Sequence, residues 1–220
     1  MIRRVAAEAL GTALLLAIVV GSGIMGEKLA AGNTAVALLA NAIATGAGLF
    51  TLITIFAPIS GAHFNPAVTL AAAIERRLSV RDALGYVISQ FAGAACGVVA
   101  AHAMFALPLL QTSAHARGTF GEWLGEVIAT FGLLLTIGLS SRAPVAQAAA
   151  AVALWITAAY WFTSSTSFAN PAVTFARSLT DTFAGIAPNH VLPFIASQAV
   201  GVVLALPVLR WFLGESSDRA

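Results

Sequence analysis

Asn65-Pro66-Ala67-Val68-Thr69-Leu70-Ala71 returns as Asn170-Pro171-Ala172-Val173-Thr174-Phe175-Ala176, with only the sixth residue changed. One such heptapeptide is a weak signal, because many turns that open a helix read this way. Two copies, one in each half of an apolar chain, mark an internal duplication. Proline suits the first helical position, where its missing N–H is not needed, and asparagine is a preferred N-cap. A capping asparagine accepts backbone N–H groups through its side-chain carbonyl. Its amide NH2 is then expected to stay free, able to donate hydrogen bonds and unable to accept any.

The helices that follow are short. The first can run to about Glu75 and the second to about Thr180. Each then reaches roughly 15 Å, against roughly 30 Å for the hydrocarbon core of a bilayer. Neither spans a membrane alone. Two half-helices at corresponding places of an inverted repeat put a solute site near the midplane, with their positive N-terminal ends facing each other.

The chain around them is 59% hydrophobic and 9% charged, with mean hydropathy +0.90. That apolar content exceeds the roughly 45–50% of soluble domains and indicates an integral membrane protein. The 220 residues hold about six spans plus two half-spans, so one domain over 1–220 is expected, with repeats over about 1–110 and 119–220. Full spans are expected over about 5–23, 34–57, 83–107, 122–139, 145–162 and 190–213, the first retained rather than cleaved. Re-entrant loops over about 58–64 and 163–169 feed the half-helices. Glu8-x-x-x-Thr12 answers Glu126-x-x-x-Thr130, and Gln90 answers Gln198. Three full spans per half make the second copy enter from the opposite side, so the repeat is inverted.

Arginine bias orients the chain. With both termini in the cytoplasm, that side carries Arg3, Arg4, Arg76, Arg77, Arg81, Arg142, Arg210 and Arg219, while the other keeps Lys28, Arg117 and Arg177. These are flank charges, so the net charge of +2 implies no nucleic-acid partner.

Glu8 and Glu126 are carboxylates within apolar helices, costly unless paired or facing an aqueous cavity. They could relay protons. The preferred reading is that each accepts N–H groups from a re-entrant loop that lacks helical partners, with Gln90 and Gln198 anchoring the same loops. His63 reads as a loop-packing residue. With His102, His115 and His190 scattered and Cys96 alone, no metal set is expected, and no cofactor or disulfide. Neither Ser22 nor Ser167 lies in a nucleophile motif, so no enzyme is expected.

Ser60-Gly61-Ala62-His63-Phe64-Asn65-Pro66-Ala67-Val68-Thr69 resembles, without a gap, the first signature of the major intrinsic protein family, the aquaporins and glycerol channels. The resemblance implies an all-α membrane protein: a right-handed bundle of six spans and two re-entrant half-helices, assembled as a homotetramer in the inner membrane. Surrounded by membrane lipid, it would pass small neutral solutes. It also implies a selectivity ring at Thr45, Ala158, Ser167 and Val173, the helix position being fixed to within one residue. Most members carry arginine directly after the second Asn-Pro-Ala; here Val173 stands there. The ring is therefore expected to be wide, weakly polar and free of fixed positive charge. Arg177, one helical turn on, is the residue whose guanidinium could swing to the mouth. Asn-Pro-Ala-Val-Thr-Phe-Ala-Arg further resembles a bacterial branch associated with arsenic resistance, which implies As(OH)3 and polyol-like solutes. A general glycerol, urea or water facilitator is the alternative within this fold; a coupled secondary transporter is the alternative from another class, and would require membrane acids beyond two loop-bracing glutamates.

Overall fold

In a computed structural model, described here over residues 1–214, the chain forms eight helices and, among the described residues, no strand. They are α1 (Ile2–Leu29), α2 (Thr34–Ser60), α3 (Pro66–Ile74), α4 (Val80–Met104), α5 (Phe120–Leu139), α6 (Val145–Phe162), α7 (Pro171–Arg177) and α8 (Pro188–Leu213). All but α3 and α7 are long and apolar enough to cross a membrane. Arg219 lies outside the described residues.

The first two spans overrun their expected ends, α4 stops at Met104, short of 107, and the other three end where expected. α1 continues through the exposed Glu27 and Lys28, since charged residues at a helix end need not leave it to reach water. α2 passes through Pro58 and stops only at Gly61, which adopts φ +87°. A proline in the last turn removes a single ladder bond, so termination falls to the glycine that tolerates the left-handed region. Side chains cap the membrane-edge starts: Asn33 accepts from Ala35 and Val36 N–H, and Thr119 forms a reciprocal capping box with Glu122.

Small residues let the backbones close. A Cβ on Gly93 or Gly97 of α4 would come within 2.2 Å of the Ala9 or Ala13 carbonyl oxygen of α1. In the other half, a Cβ on Gly201 of α8 would meet the Val127 carbonyl oxygen of α5 at 2.8 Å. α1 thus packs on α4 as α5 packs on α8, with α2 against α6 between the halves. Close approach of this kind replaces the hydrophobic drive that lipid withholds from helix association. The half-helices sit within the bundle, α3 against α4 and α8, α7 against α4 and α8, and each touches the other. Large apolar side chains such as Leu14, Ile43, Phe50 and Leu154 remain on the outside.

Candidate functional site

Each half-helix is entered through a loop whose backbone is neither helix nor sheet. Ala62 and Phe64 before α3 have φ near +49°, and Thr166, Ser167 and Ala169 before α7 lie between +47° and +61°. Non-glycine residues there cost on the order of 1–3 kcal/mol each and persist only where surroundings hold them. The glutamates do the holding. Glu8 accepts from Ser60 Oγ (2.6 Å), His63 N–H (3.0 Å), Phe64 N–H (2.7 Å) and Gln90 Nε2 (2.8 Å). Glu126 accepts from Phe168 N–H (2.8 Å), Ala169 N–H (2.8 Å) and Gln198 Nε2 (2.6 Å). Both carboxylates are fully buried with every oxygen occupied, which is the loop-bracing arrangement rather than a chain of exchangeable protons.

The glutamines carry the brace one step further, to threonines overlooked in the sequence. Gln90 Nε2 also donates to Thr69 Oγ1 (3.0 Å), which donates to the Asn65 carbonyl (3.0 Å). Gln198 Nε2 donates to Thr174 Oγ1 (2.8 Å), which donates to the Asn170 carbonyl (2.8 Å). The signal was available: threonine is the fifth residue of both heptapeptides. His63 belongs to the first network alone, its Nδ1 3.1 Å from Thr69 Oγ1 and its ring edge-on to Tyr86.

Asn65 and Asn170 cap as the sequence indicates, accepting from Ala67 N–H at 2.8 Å and from Ala172 N–H at 3.0 Å. Pro66 and Pro171 occupy the first helical positions, and Ala67 and Ala172 follow, buried. The expectation of two free amides needs correction. Asn65 Nδ2 donates to the Ala169 carbonyl (2.7 Å) and Asn170 Nδ2 to the Phe64 carbonyl (2.8 Å). Each amide is therefore strapped to the opposite loop, and one N–H of each remains for the cavity. The left-handed loop residues turn those carbonyls towards the partner asparagine.

A cavity of about 390 Å³ passes both asparagines. Arg77, Ser141 and Ala143 line one end, and Thr45, Tyr160, Ser167, Val173 and Arg177 the other. Ala158 does not join them. It faces outward and is exposed, because two residues turn a helix by about 200°. The cavity face of α6 repeats every four residues as Val152, Ile156 and Tyr160. Tyr160 fills the place assigned to Ala158, its hydroxyl 3.3 Å from Thr45 Oγ1.

The expected lack of positive charge also fails. Arg177 is 2% exposed and lines the cavity one turn beyond Val173. Its Nε donates to the Ala184 carbonyl and its guanidinium carbon lies 3.5 Å from the Phe168 ring centroid. A second guanidinium, that of Arg117 from the α4–α5 connector, stands 5.2 Å from the same centroid and donates to the Gly185 and Ser165 carbonyls. Phe168 and Arg117 carry no periodic signal; only the fold brings the connector over the second loop.

Residues 1–143 match the family model described as "Major intrinsic protein". The chain is 54% identical over 211 residues to "Aquaglyceroporin AqpS" of Rhizobium meliloti (strain 1021), covering 96% of this chain and 90% of that one. It is 30% identical to "Glycerol uptake facilitator protein-like 6" of Lactiplantibacillus plantarum, over 92% of this chain and 94% of the relative. The fold matches the X-ray structure of the aquaglyceroporin from Plasmodium falciparum with a TM-score of 0.73 at 19% identity, over 96% of this chain and 99% of that one.

Proposed function

The chain belongs to the major intrinsic protein family, and from that premise we propose that it passes small uncharged triols, trivalent arsenic as As(OH)3 among them, along the cavity between its half-helices. At the coarser level it is a passive channel for small solutes such as glycerol and water, and not an enzyme. The observation that supports the finer reading is the ring at the Arg177 end. Val173, in the place where the family's arginine stands, contributes only a short apolar side chain, and hydroxyls come from Thr45, Tyr160 and Ser167. A triol exchanges its water partners for those hydroxyls and for the remaining N–H of Asn65 and of Asn170, while Val173 leaves the ring wider than an arginine at that place would. The names of the two relatives, an aquaglyceroporin and a glycerol uptake facilitator, agree with polyol-sized solutes.

The channel would work as a homotetramer in the inner membrane with cytoplasmic termini, the orientation being supported by the arginines on the Arg77 side of the bundle. The Arg177 ring then faces outward. Stopped-flow measurements on proteoliposomes with water, glycerol, urea and arsenite compared side by side test the proposal. Glycerol and arsenite flux should rise linearly with gradient and ignore uncouplers. Saturating flux abolished by an uncoupler would indicate a coupled carrier; water flux without glycerol or arsenite flux would reduce the protein to a water facilitator.

A further inference from the structure

Charges buried in this bundle are answered from within it, with one exception. Each glutamate that braces a loop has both oxygens occupied. Arg177 is treated differently. Its single hydrogen bond goes to the Ala184 carbonyl, and its Nη1 is buried without a partner. Arg117 reaches only carbonyls and the Thr166 hydroxyl. Among the described residues, the ion pairs are Arg4 with Asp82, His115 with Asp181 and Arg210 with Glu75, so no carboxylate pairs with either guanidinium. The Phe168 face shared by both arginines compensates part of this charge and not all of it. A buried cation with an idle donor is costly unless something completes it.

The idle donor is not alone. Ser167 Oγ, buried and also without a partner, lines the same cavity beside Val173 and Arg177. Two unused donors, one charged and one neutral, thus belong to side chains that line one space, each covered as it stands and free to turn towards a ligand there, while two guanidinia raise the local potential. A planar group with two acceptor oxygens and one negative charge matches that pair, since a guanidinium N–H binds an anionic oxygen more strongly than a neutral one.

We propose that the ring at the Arg177 end binds small monoanionic oxyacids of carboxylate size, one oxygen on Arg177 Nη1 and the other on the Ser167 hydroxyl. The proposal rests on reading this cavity as the conduction path, and adds a charged ligand class to the uncharged one. A bound oxyanion occupies the ring and competes with a passing triol.

The test uses formate as the probe, with chloride at equal ionic strength and osmolarity as control. Formate binding to the purified protein is measured by calorimetry, and glycerol flux in proteoliposomes is measured with and without formate. Formate should bind and slow glycerol flux in proportion to occupancy, while chloride does neither. Arg177→Gln should weaken formate binding by roughly tenfold or more, the scale for losing a hydrogen bond to a charged group. Ser167→Ala, a smaller change, should weaken it less and provides a second reading if the arginine variant fails to fold. Glycerol flux that proceeds and ignores formate overturns the proposal and leaves the channel reading standing, as does formate binding equal in wild type and both variants. Absence of glycerol flux in wild type overturns the channel reading instead, and the calorimetry still decides whether the ring binds formate.

Discussion

Replacing Glu8 by alanine should cost stability before it costs selectivity. The carboxylate receives four donors, and two have somewhere else to turn. Gln90 Nε2 already reaches Thr69 Oγ1 at 3.0 Å, and the Ser60 hydroxyl can rotate. The backbone N–H groups of His63 and Phe64 have no such choice, because the left-handed residues around them aim both at Glu8. Each buried N–H left without an acceptor costs roughly 1–3 kcal/mol, so the pair costs roughly 2–6 kcal/mol. Part of this is returned, since a buried carboxylate no longer has to be kept from water. The damage also travels. The Phe64 carbonyl holds the Asn170 amide, so a loosened loop releases the asparagine of the other half. Thermal unfolding of the purified protein in detergent should fall by on the order of 10 °C. Glu126→Ala should behave alike, with Phe168 and Ala169 N–H groups orphaned and the Asn65 amide freed from the Ala169 carbonyl. A variant that unfolds within a degree or two of wild type, with flux newly dependent on pH, would refute the bracing account and favour a proton relay.

Val173→Arg should narrow the ring by adding a further guanidinium one turn before Arg177; the ratio of glycerol to water flux at matched protein density should fall at least several-fold, and Arg177→Ala should raise it. Tyr160→Ala should widen the same ring and raise glycerol over water flux, whereas Ala158→Leu should leave that ratio unchanged because Ala158 faces outward; equal effects would mean that the α6 face is misassigned. Proteoliposomes passing glycerol should hold an imposed pH gradient, since the remaining N–H of Asn65 and Asn170 can only donate; a gradient that collapses in step with solute flux would refute donor-only exclusion.

What was legible from the sequence is what repeats. The heptapeptides announce two half-helices, the spacing of apolar runs announces six spans, and Glu8 with Glu126 announces an acceptor for each loop. These signals are local, or local twice over, and physics leaves them few alternatives: a buried carboxylate must find donors, and a proline after asparagine opens a helix. The Thr69 and Thr174 contacts were equally repeated and went unread only because a threonine inside a short helix has a bland interpretation, bonding back to its own turn. Each hydroxyl does bond back, and in doing so offers its lone pairs to a glutamine from another helix.

The ring resisted for a different reason: its residues come from separate segments whose relative phase is a tertiary property. The resemblance points to Ala158, yet an error of two residues reverses the face of a helix, and only packing against α2 chooses between them. The arginine shows the same dependence more sharply. Val173 and Arg177 are four residues apart, hence on one face of α7, so sequence could establish that a guanidinium was within a turn of the ring. Whether it faced the cavity depended on two groups far from that turn of helix. One is the Ala184 carbonyl, delivered by the loop after α7; the other is the Phe168 face, delivered by the loop before it. The positive charge removed from the family's usual place by Val173 is therefore not lost from the pore. It returns one turn later on a longer reach, leaving beside the asparagines the width that a valine allows.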